Sequence, residues 1–138
     1  MKQQTVLTFI VWSSHMAALQ EAAACMPGDV CVRILCSRDV EEQPEACLDA
    51  IDAARAVFVF RGADAAWNLL DDRLKLAGAN APVVCVASDP GAWALSSVEP
   101  QIAERAYRYL SYGGAENAAR LMQFMLALAH GQAVEAVA

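Results

Sequence analysis

Four short runs of apolar, mostly β-branched or aromatic residues recur along the chain, at Thr5–Trp12, Val30–Cys36, Ala56–Phe60 and Val83–Ala87. Each is followed by a stretch whose apolar residues return at helical spacing. Near-continuous apolarity over five to eight residues is what a strand buried on both faces requires. Consecutive strands separated by single helices pair in parallel, through right-handed crossovers. The expected fold is therefore α/β: an open, mostly parallel, doubly wound sheet of about four strands in a flavodoxin-like order. Strand 1 is central, a further strand is left open, and two helices close the chain.

The segments between strands support this reading. Ser13-Ser14 offers an N-cap to a helix carrying Met16, Leu19, Ala23 and Met26, which Pro27-Gly28-Asp29 stops. Arg33, in the middle of the second strand, points to a sheet edge. Polar residues Ser37 to Gln43 read as a loop, and Pro44 suits the first turn of a helix carrying Leu48, Ile51 and Ala54. Asp64 is placed to cap a helix whose Trp67, Leu70, Leu74 and Ala77 share a face. Ser88-Asp89-Pro90-Gly91 is a turn by composition. Ser96 and Glu99 have capping-box spacing, while Pro100 fits a first turn better if Ser97 is the cap. The helix that follows ends at Gly113-Gly114, and Leu121, Phe124, Met125 and Leu128 mark the last one.

A chain of 138 residues fits one domain, expected over residues 1–131, with 132–138 as a frayed tail or truncation point. The net charge of -6 and the scattered Lys and Arg argue against sequence-independent nucleic-acid binding, which needs clustered cations. No apolar stretch reaches the roughly 18 residues of a membrane span, and no signal peptide is evident. The five cysteines contain no Cys-x-x-Cys and lie partly inside apolar runs, as reduced thiols of a cytoplasmic protein do. His15 and His130 stand far apart without ligand-like neighbours, so no metal site is expected.

In such sheets ligands bind at the carboxyl ends of the strands. Trp12-Ser13-Ser14-His15, after strand 1, contains neither a dinucleotide fingerprint nor a P-loop, and two serines match a flavin phosphate loop only weakly. A phosphoacceptor site would need acids where Ser13 and Arg61 stand. Ser14 and His15 are adjacent on a turn with no carboxylate nearby to orient the imidazole. They read as a capping serine and a surface histidine, the alternative being a ligand or interface role. Arg61 is either a carboxylate or phosphate binder or the partner of Asp64 or another nearby acid. Ser88 and Asp89 form a turn or a polar lining of the cleft. No catalytic residue stands out.

Gly113-Gly114 ahead of a helix has the form of an anion-binding nest, but Glu116 in the first turn would repel an anion. Gly113 reads instead as a C′ residue in a left-handed conformation, and Asn117 as a side chain bonding back to the turn. Tyr109 and Tyr112 share a face from which Tyr107 is offset. A core or interface role suits the three tyrosines better than a cofactor platform.

The wording of Tyr109-Leu110-Ser111-Tyr112-Gly113-Gly114-Ala115-Glu116-Asn117, with Leu121 and Phe124 following, resembles the N-terminal region of the cobaltochelatase large-subunit family (CobN type), related to the magnesium-chelatase large subunit. It is similar to that family's Tyr-Leu-x-x-Gly-Gly-x-Asp/Glu-Asn-Leu pattern. Phe60-Arg61-Gly62 with Trp67, Ala81-Pro82-Val83-Val84 running to Ser88, and Ser97-Val98 opening a helix add to the likeness. Together these cover about residues 57–126. Arg61-Gly62-Ala63-Asp64 is shorter than the family's segment and has one glycine, Ala118 stands where Leu is usual, and family members are far longer.

The resemblance implies a part of an ATP-dependent chelatase that inserts cobalt into hydrogenobyrinic acid a,c-diamide in cobalamin synthesis. It implies no cofactor in this chain: ATP would be hydrolysed by separate AAA+ subunits. The implied partners are those subunits, the remaining large-subunit domains and, as a further option, a corrinoid precursor. Metal-insertion residues belong to later domains of the family, so none carries over. The other reading is a free-standing flavodoxin-like small-molecule or regulatory module. A bare apolar face on the Leu121–Leu128 helix would favour the chelatase reading. A closed apolar pocket at the strand ends would favour the module.

Overall fold

The structure, a computed structural model, describes residues 4–88 and 90–131. The expected tail at 132–138 and the candidate Asp89 lie outside the described residues. Four strands, β1 (Thr5–Val11), β2 (Val30–Cys36), β3 (Ala56–Phe60) and β4 (Val83–Val86), form one sheet in the order β2-β1-β3-β4. Every pairing is parallel. This is the expected order with strand 1 inside, and the sheet is wholly rather than mostly parallel.

Strand periodicity sorts the core into two layers. Leu7, Phe9 and Val11 of β1, Phe58 and Phe60 of β3, and Val84 and Val86 of β4 face one side. That side is covered by α1 (Met16–Ala23), α5 (Pro100–Tyr112) and α6 (Gly114–Ala129). Ile10, Val57, Val59, Val83 and Cys85 face the other side, under α3 (Pro44–Ala53) and α4 (Asn68–Gly78). Thr8 is a polar residue inside a buried strand, and its hydroxyl donates to the Ala50 carbonyl at 2.7 Å. That bond removes the cost of burying it.

α6 packs against both α1 and α5, so it is the central helix of its layer. Its position explains its composition: Leu121, Met122, Phe124 and Met125 are all fully buried. The apolar face whose exposure would have favoured the chelatase reading is spent mainly on the protein's own sheet.

Several local expectations are corrected. Ser37–Glu42 is a short helix, α2, rather than a loop. The carboxylate of Asp39 accepts from the Cys36 N–H at 2.8 Å and Val40 is buried, which together outweigh the polar composition. Ser13–His15 is a 3-10 turn with no side-chain cap, and α1 begins only at Met16 and ends at Ala23, before Pro27. Asp64 precedes another 3-10 turn, Ala65–Trp67, without a side-chain capping bond. The N-cap position of α5 falls on Glu99, which makes no side-chain capping bond, and on neither Ser96 nor Ser97.

Those two serines do something else. β4 is an edge strand, whose outward N–H and C=O groups need partners. The N–H groups of Val83 and Cys85 donate to Oγ of Ser97 (2.8 Å) and Ser96 (2.7 Å). Ser96 Oγ donates in turn to the Cys85 carbonyl at 3.0 Å, and the Ser97 N–H donates to the Val83 carbonyl at 2.8 Å. A two-residue segment thus closes the edge. The other edge, β2, is only half-buried and carries Arg33 exposed at its middle, as expected.

Candidate functional site at the strand ends

The carboxyl ends of β1, β3 and β4 open into a cleft of about 230 Å³ lined by Trp12, Arg61, Gly62, Ala63, Ala87, Ser88 and Ala92. A wider, shallower opening of about 530 Å³ adjoins it, sharing Ala87 and Ser88 and adding Trp93 and Tyr107. Small side chains at the ends of β3 and β4 keep this space empty, and large rings bound it.

The rings form a connected series. Trp12 lies 4.5 Å from Phe60 between centroids, Phe60 lies 5.7 Å from Tyr107, and Tyr107 stacks on Trp93 at 5.5 Å with 24° between planes. These separations are those of favourable aromatic pairs. Trp93 is further fixed by its indole N–H, which donates to the Ala87 carbonyl at 2.8 Å. Sequence reading missed this series. Its signal was present, since Trp12 follows β1, Phe60 ends β3 and Trp93 follows β4, within Pro90–Leu95, which is a 3-10 helix where a turn at Pro90-Gly91 was expected. Tyr107, the tyrosine set apart from the other two by helical spacing, is the one that reaches the cleft.

Arg61 sits at the β3 end, but its partner is Asp71 and not Asp64. Nε and Nη2 donate to the two carboxylate oxygens at 3.0 and 3.1 Å, a bidentate pair. Nη1 donates to the Gly62 carbonyl at 2.8 Å and Nη2 to Asn68 Oδ1 at 2.6 Å. With its side chain 13% exposed, the guanidinium is locked and its charge compensated. The ion-pair alternative for Arg61 is the one the structure shows. Ser88 is exposed at the β4 end, on the floor of the cleft.

His15 packs nearly parallel to Phe60, 5.7 Å between centroids. Partial burial pushes its pKa below the ordinary value of 6.5, favouring the neutral imidazole. Ser13 and Ser14 are exposed on the same turn.

Ser14 and His15 do meet the glycine break. Ser14, His15, Tyr109, Gly113 and Gly114 line one hollow of about 120 Å³, which has room for a few waters and no larger ligand. Gly113 joins α5 to α6 with φ 73° and ψ -178°, and Gly114 has φ 84°. The positive φ agrees with the expectation for Gly113. The extended ψ does not, because the same residue must end one helix and start the next. Asn117 Nδ2 donates to the Gly113 carbonyl at 2.9 Å, the expected bond back to the turn. Glu116 pairs with Arg120 at 2.9 Å. The remaining tyrosines part company: Tyr109 meets Phe124 edge-on at 5.8 Å, while Tyr112 is 78% exposed.

The cysteines are free thiols. Burial raises Cys47 to about 11 and Cys85 to about 12, so both remain protonated and unreactive at neutral pH. Among the described residues, no group of His, Cys, Asp and Glu is placed to hold a metal ion, and no helix is long and apolar enough to cross a membrane.

No protein-family model matches the sequence, and no curated protein matches it. The structure is similar to the catalytic subunit of cobaltochelatase from Mycobacterium tuberculosis. The TM-score is 0.60 at 18% identity, over 94% of this chain and 11% of that one. At that identity the likeness establishes a shared fold. This chain corresponds to about a ninth of the length of the much larger subunit.

Proposed function

We propose that this chain is the N-terminal domain, or a separate component, of an ATP-dependent tetrapyrrole metal chelatase of the cobaltochelatase type, and that it supports metal insertion without performing it. The observation that carries this reading is the fold likeness across 94% of the chain to a cobaltochelatase catalytic subunit. It spans nearly the whole chain, and with it the bulk of the stretch at about 57–126 whose wording resembles the large-subunit family. Cobalt and the corrin precursor hydrogenobyrinic acid a,c-diamide are the substrates of such a complex, and AAA+ subunits are its source of ATP hydrolysis. The residues at the strand ends support a non-catalytic part. His15 lies flat on an aromatic ring, and Arg61 is held by Asp71 and Asn68, so neither is arranged as a base or an electrophile beside a nucleophile.

The test is assembly. The chain is mixed with the remaining large-subunit domains and the AAA+ subunits of a cobaltochelatase and followed by sedimentation velocity. A stable complex that raises cobalt insertion supports the proposal. The absence of any complex at tens of micromolar sinks it.

One observation favours the second reading, a self-standing flavodoxin-like module. On the α6 face that a severed domain would leave bare, Leu121, Phe124 and Met125 are fully buried and Leu128 is half-buried. The pocket at the strand ends is lined mainly by apolar groups but opens to solvent, so it supplies only part of what that reading needs.

A further inference from the structure

The two edges of the sheet differ in how their backbone is satisfied. At β4 the outward groups of Val83 and Cys85 are claimed by Ser96 and Ser97. β2 has no such cover among the described residues. The Thr5 N–H donates to the Asp29 carbonyl, and Thr5 stands level with Val30 in the parallel register. Backbone groups alternate sides along a strand, so the odd-numbered residues of β2 turn theirs toward β1 and the even-numbered ones outward. Of the outward N–H groups, that of Val30 donates to the Pro27 carbonyl and that of Cys36 to Asp39. Those of Val32 and Ile34 find no partner among the described residues, and neither do the carbonyls of Val30, Val32 and Ile34.

Arg33 stands exposed at the middle of this edge, between the half-buried Val32 and Ile34. The other arginines are all engaged, in ion pairs or in hydrogen bonds to carbonyl and hydroxyl oxygens. Arg33 is the one arginine with no hydrogen bond or ion pair among the described residues. Opposite charges facing each other across paired strands attract, and like charges repel. Antiparallel pairing with β2 of a second copy about the strand's midpoint would set Arg33 against Arg33, and registers that part the two charges shorten the ladder. The edge is therefore suited to a foreign strand of opposite sign. We propose that β2 is an interaction surface that takes up an extended segment of a partner protein as a fifth strand, with apolar residues continuing the Val32 and Ile34 face and an acidic residue opposite Arg33. Main-chain bonds to Val32 and Ile34 supply the affinity and Arg33 the selection, the division of labour of strand addition to a sheet edge. The inference goes beyond the chelatase reading and does not rest on it.

The experiment adds two acetylated, amidated peptides, Thr-Thr-Val-Glu-Val-Thr-Thr and its counterpart with Lys for Glu, to the whole isotope-labelled chain and follows the backbone amides by NMR. With the Glu peptide at millimolar concentration, saturable shifts centred on Val32 and Ile34 are expected, with slowed hydrogen exchange of both amides. The Lys peptide is expected to bind about fivefold more weakly, the effect of exchanging an attractive cross-strand charge pair for a repulsive one. Arg33→Glu, at an exposed position, should leave thermal unfolding unchanged and reverse the order of the two peptides. Equal affinity for both peptides in the parent, an unreversed order in Arg33→Glu, or no saturable shift at Val32 and Ile34 overturns the inference. So does a free chain that sediments as a dimer with those two amides already protected, because a second copy is then the occupant. Failure on any of these counts leaves the assembly test of the chelatase reading untouched.

Discussion

Gly62 lies so close to the indole of Trp67 that a β-carbon built on it would stand 2.5 Å from Nε1 and 3.0 Å from Cε2. Trp67 is 2% exposed and sits in the layer formed with Leu70 and Leu74, so the ring has nowhere to retreat. Gly62→Ala is expected to destabilise the fold by about 1–3 kcal/mol, the usual cost of overpacking. Urea unfolding followed by fluorescence should show a lower midpoint at an unchanged slope. A midpoint equal to the parent's would mean that the close approach has no consequence for stability.

Ser96 holds both backbone groups of Cys85 at the β4 edge, through bonds of 2.7 and 3.0 Å. Ser96→Ala leaves a buried strand residue without its partners, which costs about 1–3 kcal/mol. The amide of Cys85 should exchange with solvent much faster than in the parent. The double variant Ser96→Ala, Ser97→Ala bares the edge, and concentration-dependent association in sedimentation is the expected second effect.

At the α5–α6 junction, Gly113 has a φ of 73°, which L side chains rarely adopt. Gly113→Ala should cost about 1–3 kcal/mol through backbone strain alone, since φ 73° with an extended ψ is a glycine-only region and a β-carbon there meets nothing within 4 Å. Asn117→Ala should cost about 0.5–1.5 kcal/mol by losing the 2.9 Å bond to the Gly113 carbonyl. Thermal unfolding measures both. A stability gain in Gly113→Ala would show that the junction is not held in this conformation.

His15 provides a pH dependence with a definite sign. Its folded pKa lies below the ordinary 6.5, because burial against Phe60 disfavours the charged form. The unfolded chain therefore binds the proton more readily. The contribution is fully present above pH 6.5 and is lost as pH falls from 6.5 through the lower folded value. An NMR titration of the imidazole should give a midpoint below 6.5, and Phe60→Ala should move it back up. A midpoint at or above 6.5 in the parent contradicts the packing described.

The two ends of this protein were not equally legible in its residues. β1, β3 and the parallel order could be read because strands buried on both faces need uninterrupted β-branched and aromatic runs, and single-helix crossovers leave few topologies. The edge position of β2 was legible through Arg33, and the Asn117 bond through the local reach of a short amide side chain. These rest on interactions within a few residues or on burial of whole segments.

What required tertiary structure were contacts between residues distant in the chain. Ser96 and Ser97 have the spacing of a helix cap, yet the β4 edge claims their hydroxyls because its strand groups have no other partner. Arg61 bonds Asp71, about two helical turns beyond the expected acid, because α4 brings that carboxylate, together with Asn68, to the end of β3. Trp12, Phe60, Trp93 and Tyr107 come from four separate segments and become one aromatic wall only when the parallel sheet brings its strand ends together. Periodicity along a chain reports which face a residue uses, whereas a site of this kind depends on which faces meet.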